Sequence, residues 1–321
     1  MTQYTPMRKR KQAPAGQAGV YADLDELMRL RYKASGFSFL PRQPIHSILS
    51  GRHASRLRGR GLNFEELRTY LPGDDVRNID WKVTARTHKP HVRIYTEEKD
   101  RTVWLLVDQR ISMFFGSRWK MKSVVAAEAA AGAAWRVLSQ GDRVGAVIFD
   151  DSDIQVVPAH RSEQRVTQIL KAIIRKNHAL NAKSETTPGP QMFNRALERV
   201  AAVARHDCLV CLISDGSGID GNTRKYITRL TEHNDVLSVF IYDPLERAMP
   251  EAGRLVFSDG LSQLEFNTGE RALREAYVND FEKRVERMKA TSRRHAIPLI
   301  PVHTGAPVLE QVRDKLGEHG S

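Results

Sequence analysis

Two aspartates, Asp108 and Asp215, stand where they could share one chemical site. Each follows a short apolar run of strand length, Thr102 to Val107 for the first and Cys208 to Ser214 for the second. Such runs, bounded by polar residues, predict fully buried strands. In an open parallel sheet, ligands bind beyond the carboxyl ends of the strands, where the strand order reverses. If the two strands are neighbours, the two carboxylates lie at that edge together.

The chain around these aspartates alternates between strand patterns and helix patterns. An Ala-rich helical pattern covers residues 119–139, and a strand pattern at 144–149 follows it. Similar alternation continues to a last strand near 297–302. This order predicts an α/β fold, a mostly parallel sheet with helices on both faces.

The sequence suggests four consecutive parts. We expect residues 1–20 to be a basic disordered tail, 21–100 a helix followed by a β-rich module, 101–305 the α/β domain, and 306–321 a C-terminal helix and tail.

A second group of polar residues lies in the β-rich module, near a turn at residues 72–75 that reads Pro-Gly-Asp-Asp. Pro fixes φ, Gly permits positive φ, and Asp bonds its own backbone. We interpret the group as a structural network, because turn charges are commonly satisfied by neighbouring charges. Its members would be Tyr70, Asp74, Asp75, Arg77, Asp80, Trp81 and Arg86. A nuclease-like site of Asp80 with Glu97, Glu98 and Lys99 is the alternative.

Charge is concentrated at the N-terminus. The net charge is +12, and residues 1–60 carry 12 Lys or Arg against 3 Asp or Glu. Such an arm could bind nucleic acid or an acidic partner. Because few aromatics interleave these charges, we favour a solvated tail and consider nucleic-acid binding an alternative.

The composition also limits compartment and chemistry. The sequence contains no run of about 18 apolar residues, so it predicts no membrane-spanning helix. Its basic start is not followed by an apolar signal segment. With only two cysteines, three residues apart on one predicted strand, we expect a cytoplasmic protein. No Walker or dinucleotide-binding glycine motif occurs, so we expect the chain neither to bind nor to hydrolyse nucleotides. We expect no catalytic activity, with a metal-dependent hydrolase as another alternative.

Several motifs together resemble a known family. They are Gly59-Arg60-Gly61, Phe64 to Arg68, Tyr70 to Asp75, Arg77, Ile79-Asp80-Trp81, Ala85-Arg86-Thr87, Glu98, Asp108 with Ser112-Met113, and Gly141 to Gly145. Over roughly residues 22–305 the chain resembles the von Willebrand factor A fold, and more closely the bacterial domain-of-unknown-function 58 (DUF 58) family. The resemblance implies a non-catalytic adaptor that works with a MoxR-type AAA+ ATPase in chaperone-like assembly or activation of an unidentified client protein.

The resemblance also implies a metal-ion-dependent adhesion site, in which Asp-x-Ser-x-Ser, a loop Thr and a later Asp hold Mg²⁺. The matching residues here are Asp108, Ser112, Thr187 (or Thr186) and Asp215. These are the hard oxygen ligands that Mg²⁺ prefers.

Arg110 departs from that pattern, because it occupies the position of the middle Ser. A guanidinium would oppose a divalent ion, and could itself neutralise Asp108 and Asp215 to give a metal-free site. If Arg110 instead points outward, it would contact an acidic group of a partner, together with Gln109 and Ser217.

Overall fold

The computed structural model describes residues 19–34, 62–97, 101–117, 119–181, 189, 191–248, 254–258, 263–267 and 271–318. These fall into two compact units, a larger one within 1–42 and 102–321 and a smaller one within 43–101. The strands are β1 (Leu62–Thr69), β2 (His91–Glu97), β3 (Thr102–Asp108), β4 (Arg143–Phe149), β5 (Ile154–His160), β6 (Cys208–Ser214), β7 (Asp235–Tyr242), β8 (Arg254–Ser258), β9 (Gln263–Asn267) and β10 (Leu299–His303). The helices are α1 (Leu24–Lys33), α2 (Trp81–Thr87), α3 (Lys122–Ser139), α4 (Glu163–Ala179), α5 (Gln191–Val203), α6 (Gly221–Thr231), α7 (Pro244–Arg247), α8 (Arg271–His295) and α9 (Val308–Glu318).

The larger unit is built on a six-stranded sheet in the order β5-β4-β3-β6-β7-β10. Only β5 is antiparallel to its neighbour. From β3 the chain first winds towards β5 and then returns to wind towards β10, so the strand order reverses between β3 and β6. The predicted α/β fold with a mostly parallel sheet is confirmed.

Side chains of the central strand alternate between two cores. Val103, Leu105 and Val107 pack in the core that contains α3, whereas Trp104 and Leu106 pack in the core that contains α5. This alternation is the period-two pattern of a strand buried on both faces.

Helix α3 is buried on nearly all sides. Its run of alanines allows close packing against the sheet on one side and against α1, α4 and α9 on the others. A helix that is apolar all round belongs inside a core, as this one does.

Helix α1 belongs to the larger unit, whereas the sequence grouped it with the β-rich module. Leu27 is buried in the same core as α3, and Trp135 Nε1 donates to the Leu27 carbonyl at 3.1 Å. Helix α9, which falls in the predicted C-terminal part 306–321, likewise joins this core through Val308, Leu309 and Val312. Long-range packing, which local patterns do not reveal, decides both placements.

The smaller unit is an antiparallel pair of β1 and β2 with the turn segment and α2 between them. Gly73 has φ of +106°, the positive value expected of the turn. Asp80 caps α2, and its backbone N–H donates to the His91 carbonyl at 2.8 Å. Among the described residues, no helix of either unit is long and apolar enough to span a bilayer.

Candidate functional site

Buried aspartates mark the carboxyl ends of three neighbouring parallel strands. Asp108 ends β3, Asp215 follows β6, Asp243 follows β7, and all three are fully buried. The register pairs Val107 with Ile213, so the first two aspartates leave the sheet at the same edge. The prediction that these two strands are parallel neighbours is confirmed.

Asp108 is paired with Arg110, two residues further along. The Arg110 backbone N–H and Nε donate to Oδ1 at 3.1 and 3.0 Å, and Nη2 donates to Oδ2 at 2.6 Å. The hydroxyl of Ser214, at the end of β6, also donates to Oδ2 at 2.7 Å. Both oxygens of this carboxylate are therefore occupied by donors from the protein itself.

The Arg110 side chain points inward and is only 2% exposed. Its guanidinium carbon lies 5.3 Å from the Phe149 ring centroid and 5.5 Å from that of Phe193, and Nη2 also donates to the Ser217 carbonyl at 2.9 Å. Burial opposes the charged form, but the carboxylates of Asp108, Asp215 and Asp151 together outweigh burial and raise the pKa of Arg110. Arg110 is thus a permanent internal cation.

Asp215 is paired with cations from two helices. Lys122 Nζ, at the start of α3, donates to Oδ2 at 2.9 Å, and Arg284 Nη1, on α8, lies 3.6 Å from the same oxygen. The Ser217 backbone N–H donates to Oδ1 at 2.9 Å. Glu246 completes the group, because its Oε1 accepts from both Lys122 at 3.0 Å and Arg284 at 2.7 Å.

The pKa shifts in this group follow from its charges. Burial alone would raise the pKa of Asp215, but Lys122, Arg284 and Arg110 together lower it. Burial alone would lower the pKa of Lys122, but Asp215 and Glu246 raise it. The ionised forms are therefore stabilised despite complete burial.

Asp243 is held by neutral donors. Backbone N–H groups of Ser117 and Leu245 donate to its two oxygens, each at 2.9 Å, and the Thr304 hydroxyl donates as well. A buried carboxylate that accepts several such bonds needs no counter-ion beside it.

The residues of this edge do not fit a magnesium ion. The oxygens of Asp108 and Asp215 already accept from Arg110, Lys122 or backbone N–H groups, and three cations surround them. Among the described residues no group of three or more His, Cys, Asp or Glu could hold a metal. The buried Ser112 Oγ has no hydrogen-bond partner among the residues that the structure describes. Thr187 lies outside those residues.

Two of the residues expected to contact a partner are inaccessible here. Gln109 is fully buried, donates to the Ser123 carbonyl and accepts from Asn177, both at 3.0 Å. Arg110 is buried as described above, because Asp108 and the two Phe rings draw it inward. Ser217 is half-buried, and its hydroxyl accepts from Arg284 at 3.1 Å.

The polar turn of the smaller unit is a set of local ion pairs and caps. Asp74 accepts from Arg68 at 2.8 and 2.9 Å, and Asp80 accepts from Arg93 at 2.7 and 2.8 Å. Asp75 caps the short 3₁₀ turn at 76–78 through the Arg77 backbone N–H. These interactions hold the segment in one shape.

The membership of that network differs from the expected one. Arg68 and Arg93 supply the charges, whereas the Arg77 and Arg86 side chains form no ion pair within the described residues. The Tyr70 backbone N–H donates to the Pro90 carbonyl, and the Trp81 side chain is 69% exposed and packs little. The charged partners lie on the flanking strands, which spacing within the turn does not reveal. The alternative site with Asp80 depends on Glu98 and Lys99, which lie outside the described residues.

Sequence reasoning missed Lys122, Glu246 and Arg284. Lys122 gives a usable signal, because it is a cation at the first position of a helix whose next five residues carry no charge. Glu246 gives another, because it forms a capping box with Asp243. Arg284 gives none, because it is one of many charged residues on α8.

The sheet is that of an α/β domain whose strand order reverses between β3 and β6. At that point internal cations contact the buried carboxylates. The model of the family described as "Protein of unknown function DUF58" matches residues 66–298, and the chain belongs to that family. It is also similar to "Uncharacterized protein Rv1480" of Mycobacterium tuberculosis and "Uncharacterized protein Mb1516" of Mycobacterium bovis. Each is 29% identical over 266 residues, which cover 82% of this chain and 81% of the relative.

Two solved structures show a remote likeness. The conserved hypothetical protein BatB from Bacteroides thetaiotaomicron is 10% identical with a TM-score of 0.38, over 68% of this chain and 98% of that one. A von Willebrand factor type A structure from Catenulispora acidiphila is 9% identical with a TM-score of 0.38, over 72% of this chain and 43% of that one.

Proposed function

We propose that the protein is a non-catalytic adaptor that binds a MoxR-type AAA+ ATPase and an unidentified client protein in the cytoplasm, and assists assembly or activation of that client. Family membership and the von Willebrand factor A fold support a role in protein interaction. The proposal that the partner is an ATPase depends on the surface of the smaller unit.

Large apolar side chains on that unit carry the proposal. Trp81 is 69% exposed, and Leu71 and Val76 are each 58% exposed. Leu71 and Val76 lie in the turn segment, and Trp81 begins α2. Asp74 and Asp80 hold this stretch through ion pairs with Arg68 and Arg93. A fixed backbone that presents an exposed Trp beside aliphatic residues is typical of an interface anchor, because little ordering entropy is lost on binding.

The buried charges at the sheet edge support the proposal that the protein is not a catalyst. Arg110, Lys122 and Arg284 neutralise the carboxylates that a hydrolase would use as bases or metal ligands. A hydrolase at this edge would first have to break these ion pairs.

A binding measurement with matched tryptophan variants tests the proposal. The full-length chain and the MoxR-type ATPase of the same host are mixed, and the dissociation constant is measured by calorimetry for the wild type, Trp81→Ala and Trp119→Ala. Trp119, in the larger unit, is 53% exposed and serves as the control. We expect Trp81→Ala to weaken binding by about thirtyfold, the effect of losing a hot-spot residue of about 2 kcal/mol, and Trp119→Ala to leave it unchanged.

The alternatives predict other results. If wild type and ATPase do not associate, the assigned partner is wrong. If Trp81→Ala binds as well as the wild type, Trp81 is not part of the contact. Nucleic-acid binding at moderate salt that weakens on deletion of residues 1–20 would favour the basic arm, which lies outside the described residues.

A further inference from the structure

A groove runs along the free edge of the large sheet, between β5 and one side of α4. We call it the edge groove; its volume is about 430 Å³. Val156 and Pro158 of β5 line one side, and Arg165, Lys171 and Arg175 of α4 line the other. It lies on the outer strand of the sheet, apart from the aspartates at the centre.

The edge groove is positively charged. Its lining includes three cations and no Asp or Glu. Lys171 and Arg165 form no ion pair within the described residues, and Arg175 Nη2 donates to the neutral Gln155 Oε1 at 2.8 Å. The buried cations of the central site are all paired with carboxylates, whereas the three groove cations have no anionic partner within the described residues. The groove is therefore a favourable place for an anionic partner.

The strand side of the groove offers backbone groups as well as charge. In the described chain β5 pairs on one side only, with β4. An edge strand directs alternate N–H and C=O groups outward, where an added strand can pair with them. Pro158 lacks an N–H, and the register with β4 shifts between Val144 and Ala146, so a regular outer ladder is available chiefly at residues 154–157.

We propose that the edge groove binds an acidic, extended segment of a partner protein, which adds a short strand beside β5 and places its carboxylates against α4. Backbone pairing would supply affinity, and the three cations would select acidic sequences. The proposal concerns a different surface from Trp81 and does not require the ATPase to be the partner.

A labelled synthetic peptide tests this directly. The probe is an eight-residue peptide of alternating Glu and Val, blocked at both ends, and its binding to the full-length chain is measured by fluorescence anisotropy. We expect saturable binding by the wild type. Lys171→Glu and Arg165→Glu should each weaken binding about tenfold, because each turns an attraction into a repulsion. The control Lys225→Glu, an exposed lysine on α6, should leave binding unchanged.

Two modified probes separate strand addition from simple charge attraction. A peptide methylated on alternate backbone nitrogens cannot complete the ladder, and a peptide with Gln for Glu lacks the charge; both should bind at least tenfold more weakly. No binding by the wild type, equal weakening by Lys225→Glu, or full binding of the methylated peptide would each overturn the proposal. Thermal unfolding of each variant, together with the neutral variant Lys171→Gln, excludes loss of folding as the cause.

Discussion

At the scale of single residues, the site is defined by cations that lie where the sheet brings carboxylates together. Lys122 is 2% exposed and contacts both Asp215 and Glu246. Removing one member of a buried pair leaves an uncompensated charge, whereas removing both members leaves none. The contribution of this lysine can therefore be separated from the cost of burying its partners.

We expect Lys122→Met to lower the free energy of unfolding by about 3–5 kcal/mol. The double variant Lys122→Met/Asp215→Asn should lose less than the sum of the two single variants, by about 1–3 kcal/mol, because the residues are in contact. Urea unfolding gives all four values of the cycle. Lys225→Met, at an exposed site, is the control and should change stability by less than about 0.5 kcal/mol. Strict additivity in the cycle would contradict the pairing.

Acid stability should depend on Asp215. Its pKa in the folded chain is held below the usual value of about 3.9 by Lys122, Arg284 and Arg110, despite burial. The stability that it contributes is therefore present above about pH 4 and is lost as the pH falls towards the folded pKa. We expect unfolding free energy between about pH 4 and 2 to fall more steeply for the wild type than for Asp215→Asn; equal slopes would contradict this.

Sequence could predict part of this site. Asp108 and Asp215 were visible because each follows a buried apolar run, and Arg110 because it interrupts a recognisable pattern. The pairing of Lys122 with Glu246 joins residues 124 positions apart, and only the packed structure brings them together.

At the scale of elements, the strand patterns predicted the central sheet because each run is apolar on both faces. The bulge that shapes β5 could not be predicted, because it depends on how Gly145 of β4 fits against a neighbouring strand. A Cβ at Gly145 would lie 2.8 Å from the Ala159 backbone nitrogen and 2.8 Å from the Trp104 ring.

We expect Gly145→Ala to lower the free energy of unfolding by about 1–3 kcal/mol, the usual cost of overpacking a core. Gly221→Ala is a matched control, because a Cβ at Gly221 meets nothing within 4 Å and the residue opens helix α6. Denaturant unfolding of both variants tests this. If Gly145→Ala and Gly221→Ala have the same free energy of unfolding, β4 and β5 adjust to the added Cβ without cost, which would contradict the prediction.

At the scale of the whole molecule, one core is assembled from distant parts of the chain. Helix α1 precedes the smaller unit in sequence but packs with α3, and local patterns did not predict this because the contact between Leu27 and Trp135 spans 108 residues. The larger unit is therefore interrupted by the smaller one in sequence.

Leu27→Ala should lower the stability of the larger unit by about 2–5 kcal/mol, because Leu27 is 1% exposed in the main core. Arg29→Ala, on the exposed side of α1, should change it by less than about 0.5 kcal/mol. Thermal or denaturant unfolding followed by tryptophan fluorescence compares the two. If Leu27→Ala is as stable as the wild type, α1 is not part of the core.

The replacement of a metal ion by internal cations is the central claim, and thermal unfolding with and without Mg²⁺ tests it most directly. Saturating a real site at about 100 times its dissociation constant would stabilise the fold by about 2.7 kcal/mol. For the wild type we expect the same melting temperature in chelator and in millimolar Mg²⁺, because Arg110 and Lys122 occupy the carboxylates. Arg110→Ser should melt lower in chelator and recover with Mg²⁺, because it removes the guanidinium from Asp108. Ser112, whose buried hydroxyl has no hydrogen-bond partner within the described residues, follows Asp108 by four positions. A clear upward shift of the wild type with Mg²⁺ would contradict the claim.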